Sequence, residues 1–454
     1  MRPEHRRICE NIALKVKEKG GRAYYVGGCV RDELMGRASL DTDIEIHGIP
    51  EEELEELLSS IAPCREVGRS FGIISLGGEG SGIDVALPRR EVSTGTGHRD
   101  YDIVTDPWAG EEQSARRRDF TVNAMMKDVL TGEILDFFGG RDDLAGKRLR
   151  HVDDSSFVYD PLRVFRAAQF CARFGFSLDE GTRRLCARMS AEALSAERVR
   201  EELFKALTGS DEPGVFFDVL GSTDKLSGWF EEIASLRGVP QDSLYHPEGD
   251  VYVHTMKVLR SAAALRGAAE EPLCFMLSAL CHDLGKIDTT EERDGRIHAY
   301  GHEESGLKYA QALLGRLKCT NRQMQYVLNM VKMHMKPTAE ANASSRLKKT
   351  NRMFYDSVCP GDLLLLAEAD YRGCGGTGEV FPAGKFLRER LEVFEKIMKE
   401  PPLRGRDLIE NGAEASADFH EYLDYALKLK LAGEDRASQL KQTLAYIRKK
   451  TEGK

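Results

Sequence analysis

Hydrophobic and polar residues follow two different periods along this chain. Over roughly the first 140 residues, amphipathic helical stretches alternate with short strand-like runs at Ala23–Val26, 71–76 and 83–87, and a polar loop covers 88–100. A period near two indicates a strand, and a period near 3.6 indicates a helix. The N-terminal part is therefore predicted to be an α/β domain with a mixed sheet.

From about residue 141 onward the pattern predicts helix after helix. Asp160 and Pro161 are typical of a helix start, and Gly175 is typical of a helix stop. Glycines and prolines predict a boundary near 209–221 and another near 373–402. We therefore predict an α+β chain in four parts, which are a head (1–140), a helical neck (141–220), a helical body (221–400) and a helical tail (401–454).

The composition is that of an ordinary globular chain with several domains. A length of 454 residues exceeds what one hydrophobic core usually supports. No apolar run approaches the ~20 residues that span a bilayer, and the N-terminus lacks a signal-peptide core. The 10 cysteines include no CxxC pair, which argues against a zinc ribbon. We expect a cytoplasmic protein with no membrane contact and no obligate protein partner.

The net charge of −9 excludes a uniformly basic surface but leaves room for a local basic patch. Residues 311–355 carry nine lysines and arginines against a single acid, Glu340. Such a stretch is typical either of a nucleic-acid contact or of a solvated helical face, and the sequence leaves both interpretations open.

Two features of the head point to phosphate chemistry. Gly27-Gly28 follows a strand and opens a helix, so that backbone N–H groups can approach a phosphate, and Arg31 adds a charged partner. Asp41 and Asp43 lie two residues apart and therefore share one face of a strand. Two such carboxylates can hold the cations that two-metal phosphoryl transfer requires. Glycine turns and acidic edges are each common alone, and their combination favours nucleotidyl transfer with Mg²⁺.

The body contains a second set of metal-type side chains on predicted helices. They are His254, His282, Asp283, His302, His334 and Asp370. Imidazole nitrogens and carboxylate oxygens suit a transition metal or Mg²⁺, and such a metal can activate water for phosphoester hydrolysis. Isolated histidines are more often core or surface groups, so His246, His298 and His420 receive no role.

Four motifs in ordered succession make the chain up to about Leu207 similar to a known family. They are Tyr25–Asp43, Arg116–Met125, Tyr159–Phe176 and Ala196–Leu203. The chain resembles the class II tRNA nucleotidyltransferases and bacterial poly(A) polymerases, which implies a polymerase-β-like nucleotidyltransferase head. By this resemblance Asp41 and Asp43 are catalytic and bind Mg²⁺. The nucleotide would be bound by Gly28, Arg31 and Arg118.

A face of the predicted neck helix is suited to reading a base. Asp160, Arg163 and Arg166 are spaced three residues apart and share this face. A carboxylate accepts from an exocyclic amine and a guanidinium donates to ring acceptors, which together match the edge of C or A. A helix cap with a salt bridge is the structural alternative. The family commonly has glutamate at Tyr159 and arginine at Gln169, and both departures weaken any statement about which nucleotide is chosen.

The resemblance assigns roles to three further segments. Asp84 corresponds to a third acid of the family, although a strand acid can equally be a surface residue, and residues 90–99 correspond to a mobile loop. Residues 403–409 resemble the start of the family's helical tail. The tail and the basic stretch 311–355 form the predicted surface for the tRNA acceptor and T arms, where phosphate and shape contacts suffice.

The order of histidines and aspartates in the body resembles that of HD-superfamily phosphohydrolases, including the HD domain of some tRNA nucleotidyltransferases. This implies a second divalent metal, one of Ni, Co, Mn or Mg. The leading interpretation is addition of CMP and AMP from CTP and ATP to tRNA 3′ ends. An A-adding enzyme, a CC-adding enzyme and a poly(A) polymerase remain alternatives, as does a phosphodiesterase or phosphatase acting mainly through the body. Two sets of metal-type ligands argue against a non-catalytic RNA-binding protein.

Overall fold

The computed structural model describes residues 2–39, 41–66, 73–93, 101–375 and 381–452. Contacts divide the chain into two compact units, each described here by itself. Unit 1 is Met1–Leu194 with Asp218–Lys225, and unit 2 is Ser195–Phe217 with Leu226–Lys454. The four-part division expected from the sequence stays a prediction.

Unit 1 is built on a mixed sheet of seven strands. Its strands and those of two small pairs are β1 (Arg22–Val26), β2 (Thr42–His47), β3 (Cys64–Glu66), β4 (Ile73–Leu76), β5 (Ile83–Ala86), β6 (Arg89–Ser93), β7 (Tyr101–Thr105), β8 (Met126–Asp128), β9 (Ile134–Leu135), β10 (Arg148–Leu149) and β11 (Ser177–Leu178). The order in the large sheet is β3-β4-β5-β2-β1-β8-β9. Strands β2 and β5 run parallel, and the other neighbours are antiparallel. The predicted mixed sheet is confirmed.

The helices of unit 1 cover the sheet and extend beyond it. They are α1 (Pro3–Glu18), α2 (Gly28–Leu34), α3 (Glu51–Ser59), α4 (Glu111–Arg116), α5 (Gly140–Ala145), α6 (Asp154–Phe157), α7 (Leu162–Phe174) and α8 (Glu180–Arg188). Helix α1 buries Cys9, Ile12 and Val16 against a core that includes Ile44 and Ile46. Each of these side chains lies on one helical stripe or one strand face, which is what an amphipathic pattern predicts.

Helix α7 begins and ends where the sequence places it. The Asp160 carboxylate accepts a hydrogen bond from the backbone N–H of Leu162 at 3.1 Å, which satisfies a donor of the first turn. Gly175 ends the helix with φ at 67°, a left-handed conformation that glycine adopts without a Cβ clash. The predicted start and stop are confirmed.

The predicted polar loop at 88–100 is wrong in its first part, because β6 pairs there with β7 in an antiparallel hairpin. A strand is stabilised by backbone hydrogen bonds to a neighbouring strand. A polar segment can therefore form a strand when such a neighbour is present. Residues 94–100, which include most of the predicted mobile loop, lie outside the described residues, as do residues 71–72 of a predicted strand.

Unit 2 is helical apart from one hairpin. Its elements, with α10 shared between the units, are α9 (Ala196–Gly209), α10 (Gly214–Ser222), α11 (Glu231–Ala234), α12 (Val251–Leu265), α13 (Pro272–Cys281), α14 (Lys286–Thr289), β12 (Glu291–Arg293), β13 (Arg296–His298), α15 (His302–Arg316), α16 (Asn321–Met333), α17 (Lys336–Asn342), α18 (Leu347–Asp356), α19 (Pro360–Gly373), α20 (Gly384–Lys399), α21 (Gly405–Glu410), α22 (Phe419–Leu431) and α23 (Arg436–Glu452). Most of the predicted boundary at 209–221 is occupied by α10, because the run Val215–Leu220 is apolar enough to pack as a helix.

The last helices have a small core of their own. Leu403 and Leu408 pack there with Tyr422, Ala426 and Ile447. Among the described residues, none of the helices has both the length and the apolar character needed to cross a membrane.

Candidate active site and metal centre

Three carboxylates meet at one end of strands β2 and β5. The parallel register sets Asp43 of β2 beside Asp84 of β5, and side chains at paired positions project from the same face. Asp41 is exposed immediately before β2. Burial and the neighbouring charges of Asp84 and Asp41 raise the pKa of Asp43 above its ordinary value, against the opposing effect of Arg118. Such a concentration of acids favours a bound cation, and carboxylate oxygens suit Mg²⁺.

The glycine turn brings the backbone close to these acids. Gly27 has φ at 71°, and a Cβ placed on it would lie 3.1 Å from Arg118 Nη1 and 3.6 Å from Asp43 Oδ2. A larger residue would therefore crowd both groups and strain the backbone. Asp43, Asp84 and Arg118 also line a cleft of about 270 Å³. The cleft is the part of unit 1 where a phosphate chain would meet both the acids and an arginine.

Glu45 holds Arg118 at this cleft. Its buried carboxylate accepts hydrogen bonds from Ser114 Oγ at 2.6 Å and Arg118 Nη2 at 3.2 Å, and it contacts His47 Nε2 at 2.9 Å. Burial by itself would raise the pKa of Glu45, but these partners outweigh it and lower the pKa to about 2. Arg118 Nε is buried and has no hydrogen-bond partner among the described residues. Arg118 is thus fixed in position beside the acids of the cleft.

Replacing Glu45 with glutamine is expected to reduce the free energy of unfolding by about 3 kcal/mol near pH 7. The pKa of Glu45 falls from 4.5 to about 2 on folding, so its ionised form stabilises the fold fully above the ordinary pKa. That stabilisation declines as the pH falls from 4.5 towards 2. Chemical denaturation of both proteins near pH 7 and at successively lower pH measures it. A stability difference that stays constant with pH would contradict this assignment.

Arg31 is a residue of helix α2, and its side chain is buried rather than exposed. Only 4% of it is accessible, and it donates to Asn123 Oδ1 at 2.6 Å and to Asp32 Oδ1 at 2.7–2.9 Å. Its guanidinium also stacks 4.4 Å from the centre of the Phe174 ring. These contacts tie α2, which begins at Gly28, to the rest of unit 1. Triphosphate binding by Arg31 and Gly28 stays a prediction.

The arginines of the neck helix are anchored to the segment that carries Arg118. Arg163 donates to the carbonyl oxygens of Ser156 at 2.6 Å and Arg117 at 2.7 Å. Arg166 donates two hydrogen bonds, at 2.5 and 2.8 Å, to the buried carboxylate of Asp119. Burial would raise the pKa of Asp119, but the charge of Arg166 holds it below its ordinary value. Both guanidinium groups are thus oriented by unit 1, and the contacts of Asp160 and Arg166 are those of a helix cap and a salt bridge; base reading by this face stays a prediction.

The histidines and aspartates predicted for the body converge on one point of unit 2. Asp283 lies at the centre of this cluster, which comprises His254, His282, Asp283, His302, His334 and Asp370. One oxygen of Asp283 lies 3.3 Å from His254 Nε2 and 3.2 Å from His282 Nε2, and the other lies 3.3 Å from His302 Nε2. Asp370 lies 3.1 Å from His254, and the His302 and His334 Nε2 atoms are 3.1 Å apart. The six residues form two adjoining ligand groups joined by Asp283.

Backbone carbonyl groups orient the cluster. The Nδ1 atoms of His282, His302 and His334 lie 2.7–2.9 Å from the carbonyl oxygen three residues earlier in each case. Because a carbonyl oxygen only accepts, each Nδ1 carries a proton and each Nε2 is turned inward, which is the orientation that metal ligation requires. Burial and the neighbouring histidines lower the pKa of His334 to about 3, which keeps it neutral. This donor set fits a divalent transition metal such as Mn²⁺, Co²⁺ or Ni²⁺, or Mg²⁺.

In the structure, more than half of the cations in the basic stretch 311–355 pair with acids. Arg316, Lys318, Arg322 and Lys332 all pair with glutamates, and Arg352 pairs with Asp356. Four further cations are exposed and form no ion pair within the described part of the chain: Lys336 at the start of α17, and Arg346, Lys348 and Lys349 at the start of α18. Three of the four unpaired cations thus lie at one helix end.

Comparisons with known proteins agree with both centres. A model of the poly A polymerase head domain matches residues 23–150, and a model of the HD domain matches residues 251–371. The multifunctional CCA protein of Actinobacillus pleuropneumoniae is 37% identical over 388 residues, which cover 82% of this chain and 91% of that protein. The chain belongs to the multifunctional CCA protein family. The corresponding protein of Halorhodospira halophila is 35% identical, with coverage of 86% and 94%.

Solved structures of CCA-adding enzymes share the family fold of this chain. The Bacillus stearothermophilus enzyme in complex with CTP aligns over the full length of both chains with a TM-score of 0.69 and 22% identity. The Thermotoga maritima enzyme complexed with tRNA aligns over 98% of this chain and 96% of that one, with a TM-score of 0.62 and 21% identity. The predicted fold class is confirmed by these alignments.

Sequence reasoning about this family member missed residues that act through others. Glu45 lies on strand β2 and Asp119 within the motif Arg116–Met125, and neither position by itself indicates a role. Their arginine partners lie 73 and 47 residues away in the chain, so no local signal identifies them. Lys286, whose ammonium lies 2.7 Å from Asp283, was likewise given no role.

Proposed function

We propose that this protein is a template-independent nucleotidyltransferase that adds CMP and AMP, from CTP and ATP, to tRNA 3′ ends. The observation that carries the proposal is the meeting of Asp43, Asp84 and Asp41 beside Arg118. The names of the relatives, and the CTP and tRNA complexes of the similar structures, support the substrate class.

The acids of the cleft would hold Mg²⁺. The carboxylates of Asp41 and Asp43, with Asp84 beside them, supply hard oxygen ligands. Mg²⁺ held by these residues would stabilise charge on the phosphate oxygens and favour ionisation of the attacking hydroxyl group. The RNA 3′-oxygen then bonds to the α-phosphorus as the bond to the pyrophosphate oxygen breaks. Arg118, held beside these acids by Glu45, would contribute positive charge near the phosphate chain, which would approach the backbone at Gly27-Gly28.

The face of α7 would select the base. We assign the Watson–Crick contacts to Asp160, Arg163 and Arg166, because this face is half-buried and its groups are oriented by other residues of unit 1. A guanidinium that is already fixed loses less entropy on binding and discriminates better between bases. Gln169, three residues further on, is 2% exposed, which limits it to an indirect part in this selection.

The experiment that tests the proposal uses tRNAs that lack one, two or three of the terminal CCA nucleotides. Each tRNA is incubated with labelled CTP, ATP or both, and the products are resolved at single-nucleotide resolution. We expect CMP to be added to the two shorter tRNAs, AMP to be added after CC, and growth to stop at CCA. Use of ATP alone on CC-ended tRNA would indicate an A-adding enzyme, CTP use alone a CC-adding enzyme, and long adenylate tails a poly(A) polymerase.

A phosphohydrolase activity of the body is the second proposed function. The observation that favours it is the cluster around Asp283, whose histidines all turn Nε2 inward. A divalent metal held there, one of Ni, Co, Mn or Mg, would lower the pKa of a bound water and supply a nucleophile for phosphoester hydrolysis.

The exposed cations at the start of α18 would contact the tRNA backbone. Arg346, Lys348 and Lys349 lie within about one helical turn of each other, which suits phosphate contacts along an A-form duplex. Cytoplasmic location follows as a proposal from the tRNA substrate, because tRNA ends are repaired where tRNA is used.

A further inference from the structure

The Nδ1 side of the His254 ring faces three side chains that are not part of the cluster around Asp283. The Nε2 atom of His254 points to Asp283 and Asp370, while its Nδ1 atom lies 2.8 Å from Glu248 Oε1. The same Glu248 oxygen lies 2.9 Å from His246 Nδ1. Cys374 Sγ lies 3.6 Å from His246 Nδ1 and 4.0 Å from His254 Nδ1. Four ligand-type atoms thus surround one point.

The spacing of these atoms is close to that of a tetrahedral metal site. Tetrahedral coordination at bond lengths of about 2.0–2.3 Å separates the ligand atoms from one another by roughly 3.3–3.7 Å. Four of the six separations between the donor atoms run from 2.8 to 4.0 Å, and all four atoms lie within 4.8 Å of one another. Small side-chain rotations are therefore enough to seat an ion.

Glu248 provides an independent sign of a missing partner. Its side chain is fully buried, and its second oxygen, Oε2, has no hydrogen-bond partner among the described residues. An ionised carboxylate oxygen without a partner is costly to bury, so a cation close to it would stabilise the fold. Carboxylate oxygen, imidazole nitrogen and thiolate sulfur are together the donors that zinc accepts.

The fold assembles these residues from distant parts of the chain. His246 and Glu248 lie in the loop before α12, His254 lies in its first turn, and Cys374 follows α19 directly, four residues after Asp370. Helices α12 and α19 pack against each other, which brings the loop and the end of α19 together.

We propose that His246, Glu248, His254 and Cys374 form a second metal site in the body, of the zinc class, next to the cluster around Asp283. Because its donors include a thiolate, this site would prefer Zn²⁺ or Co²⁺ over Mg²⁺. The His254 imidazole would bridge the two centres through its two nitrogens. Metal binding expels the thiol proton of Cys374 and the Nδ1 proton of His254. The site has no part in nucleotidyl transfer and stands independently of it.

The test is a Co²⁺ titration of the full chain monitored by absorption. Only a cysteine ligand gives the intense sulfur-to-cobalt charge-transfer band in the near ultraviolet, and the cluster around Asp283 contains no cysteine. We expect this band at a stoichiometry of one per chain, its loss in Cys374→Ser, and its displacement by Zn²⁺. Cys319→Ser is the matched control, because Cys319 is another half-buried thiol of unit 2, and it should keep the band.

Two further variants separate the new site from its neighbour. His334→Ala removes a ligand of the cluster alone and should keep the charge-transfer band. His246→Gln should lower the affinity for Co²⁺ at least about tenfold, and it provides the same test if Cys374→Ser fails to fold. A wild-type protein without the band, or a band that survives in Cys374→Ser, would show that Glu248 only orients His254 and would overturn the proposal.

Discussion

Asp43→Asn is expected to abolish nucleotide incorporation, with a loss of about 10³-fold or more in rate. Asparagine keeps the size of the side chain but removes the charge that the cation needs. Electrostatic stabilisation by a bound metal is worth several kcal/mol, and each 1.36 kcal/mol is a factor of ten in rate. The same change should raise the Mg²⁺ concentration needed for half-maximal activity. Primer extension on a CC-ended tRNA with labelled ATP measures both effects.

Asp128→Asn is the matched control for this result. Asp128 lies on β8 of the same sheet, where its carboxylate accepts from the backbone N–H groups of Leu130 and Thr131. Asparagine retains an oxygen for those bonds, so activity should stay within about twofold of wild type. Asp41→Asn should behave like Asp43→Asn. Normal incorporation by either of these two variants would show that the head assignment is wrong.

His282→Ala is expected to remove metal-stimulated hydrolysis of a chromogenic phosphodiester by about 100-fold or more while leaving nucleotide incorporation unchanged. His282 is fully buried and contributes an inward Nε2 to the cluster. Loss of an outer-shell partner of a metal site alone typically costs 10–100-fold, so loss of a direct ligand should cost at least as much. Hydrolysis is measured with Mg²⁺, Mn²⁺, Co²⁺ and Ni²⁺ in turn, and bound metal is counted by elemental analysis.

His420→Ala controls for the loss of a histidine as such, since His420 is exposed on α22 and contacts only the carbonyl oxygen of Ala417 in the described structure. It should hydrolyse the diester at the wild-type rate. If the wild-type protein shows no hydrolysis with any of the four metals, the body acts as a scaffold. If His282→Ala retains both the bound metal and the activity, the ligand assignment fails.

The elements of the head were predictable because their signals are local. Strand β1, the glycine turn and helix α2 each follow from a pattern of fewer than ten residues, and so do the two ends of α7. The loop at 88–100 was misjudged because a hairpin strand depends on its partner, β7, more than on its own hydrophobicity. The same applies to α10, because an apolar face stabilises a helix only where other parts of the protein pack against it.

For the basic stretch at 311–355, the local sequence was an insufficient guide to the surface charge. Nine cations against one acid left open a nucleic-acid contact or a solvated helical face, and in the structure Arg316 pairs with Glu232 and Lys318 with Glu197, both far away in sequence. Charge counted along the chain cannot include partners that folding brings from elsewhere. Among the described residues, Lys336, Arg346, Lys348 and Lys349 stay exposed without an acidic partner.

The sequence by itself determined the class of chemistry in each part of this protein. The carboxylate pair and the ordered histidines can be recognised from residue type and spacing alone, without any knowledge of the fold. Tertiary structure alone decided which groups meet, because Asp84 reaches Asp43 through the parallel pairing of β2 with β5. It also decided that Arg31 is buried, that Glu45 fixes Arg118, and that Cys374 lies beside His246. Burial and long-range contact set these roles, and neither is encoded within a short stretch of sequence.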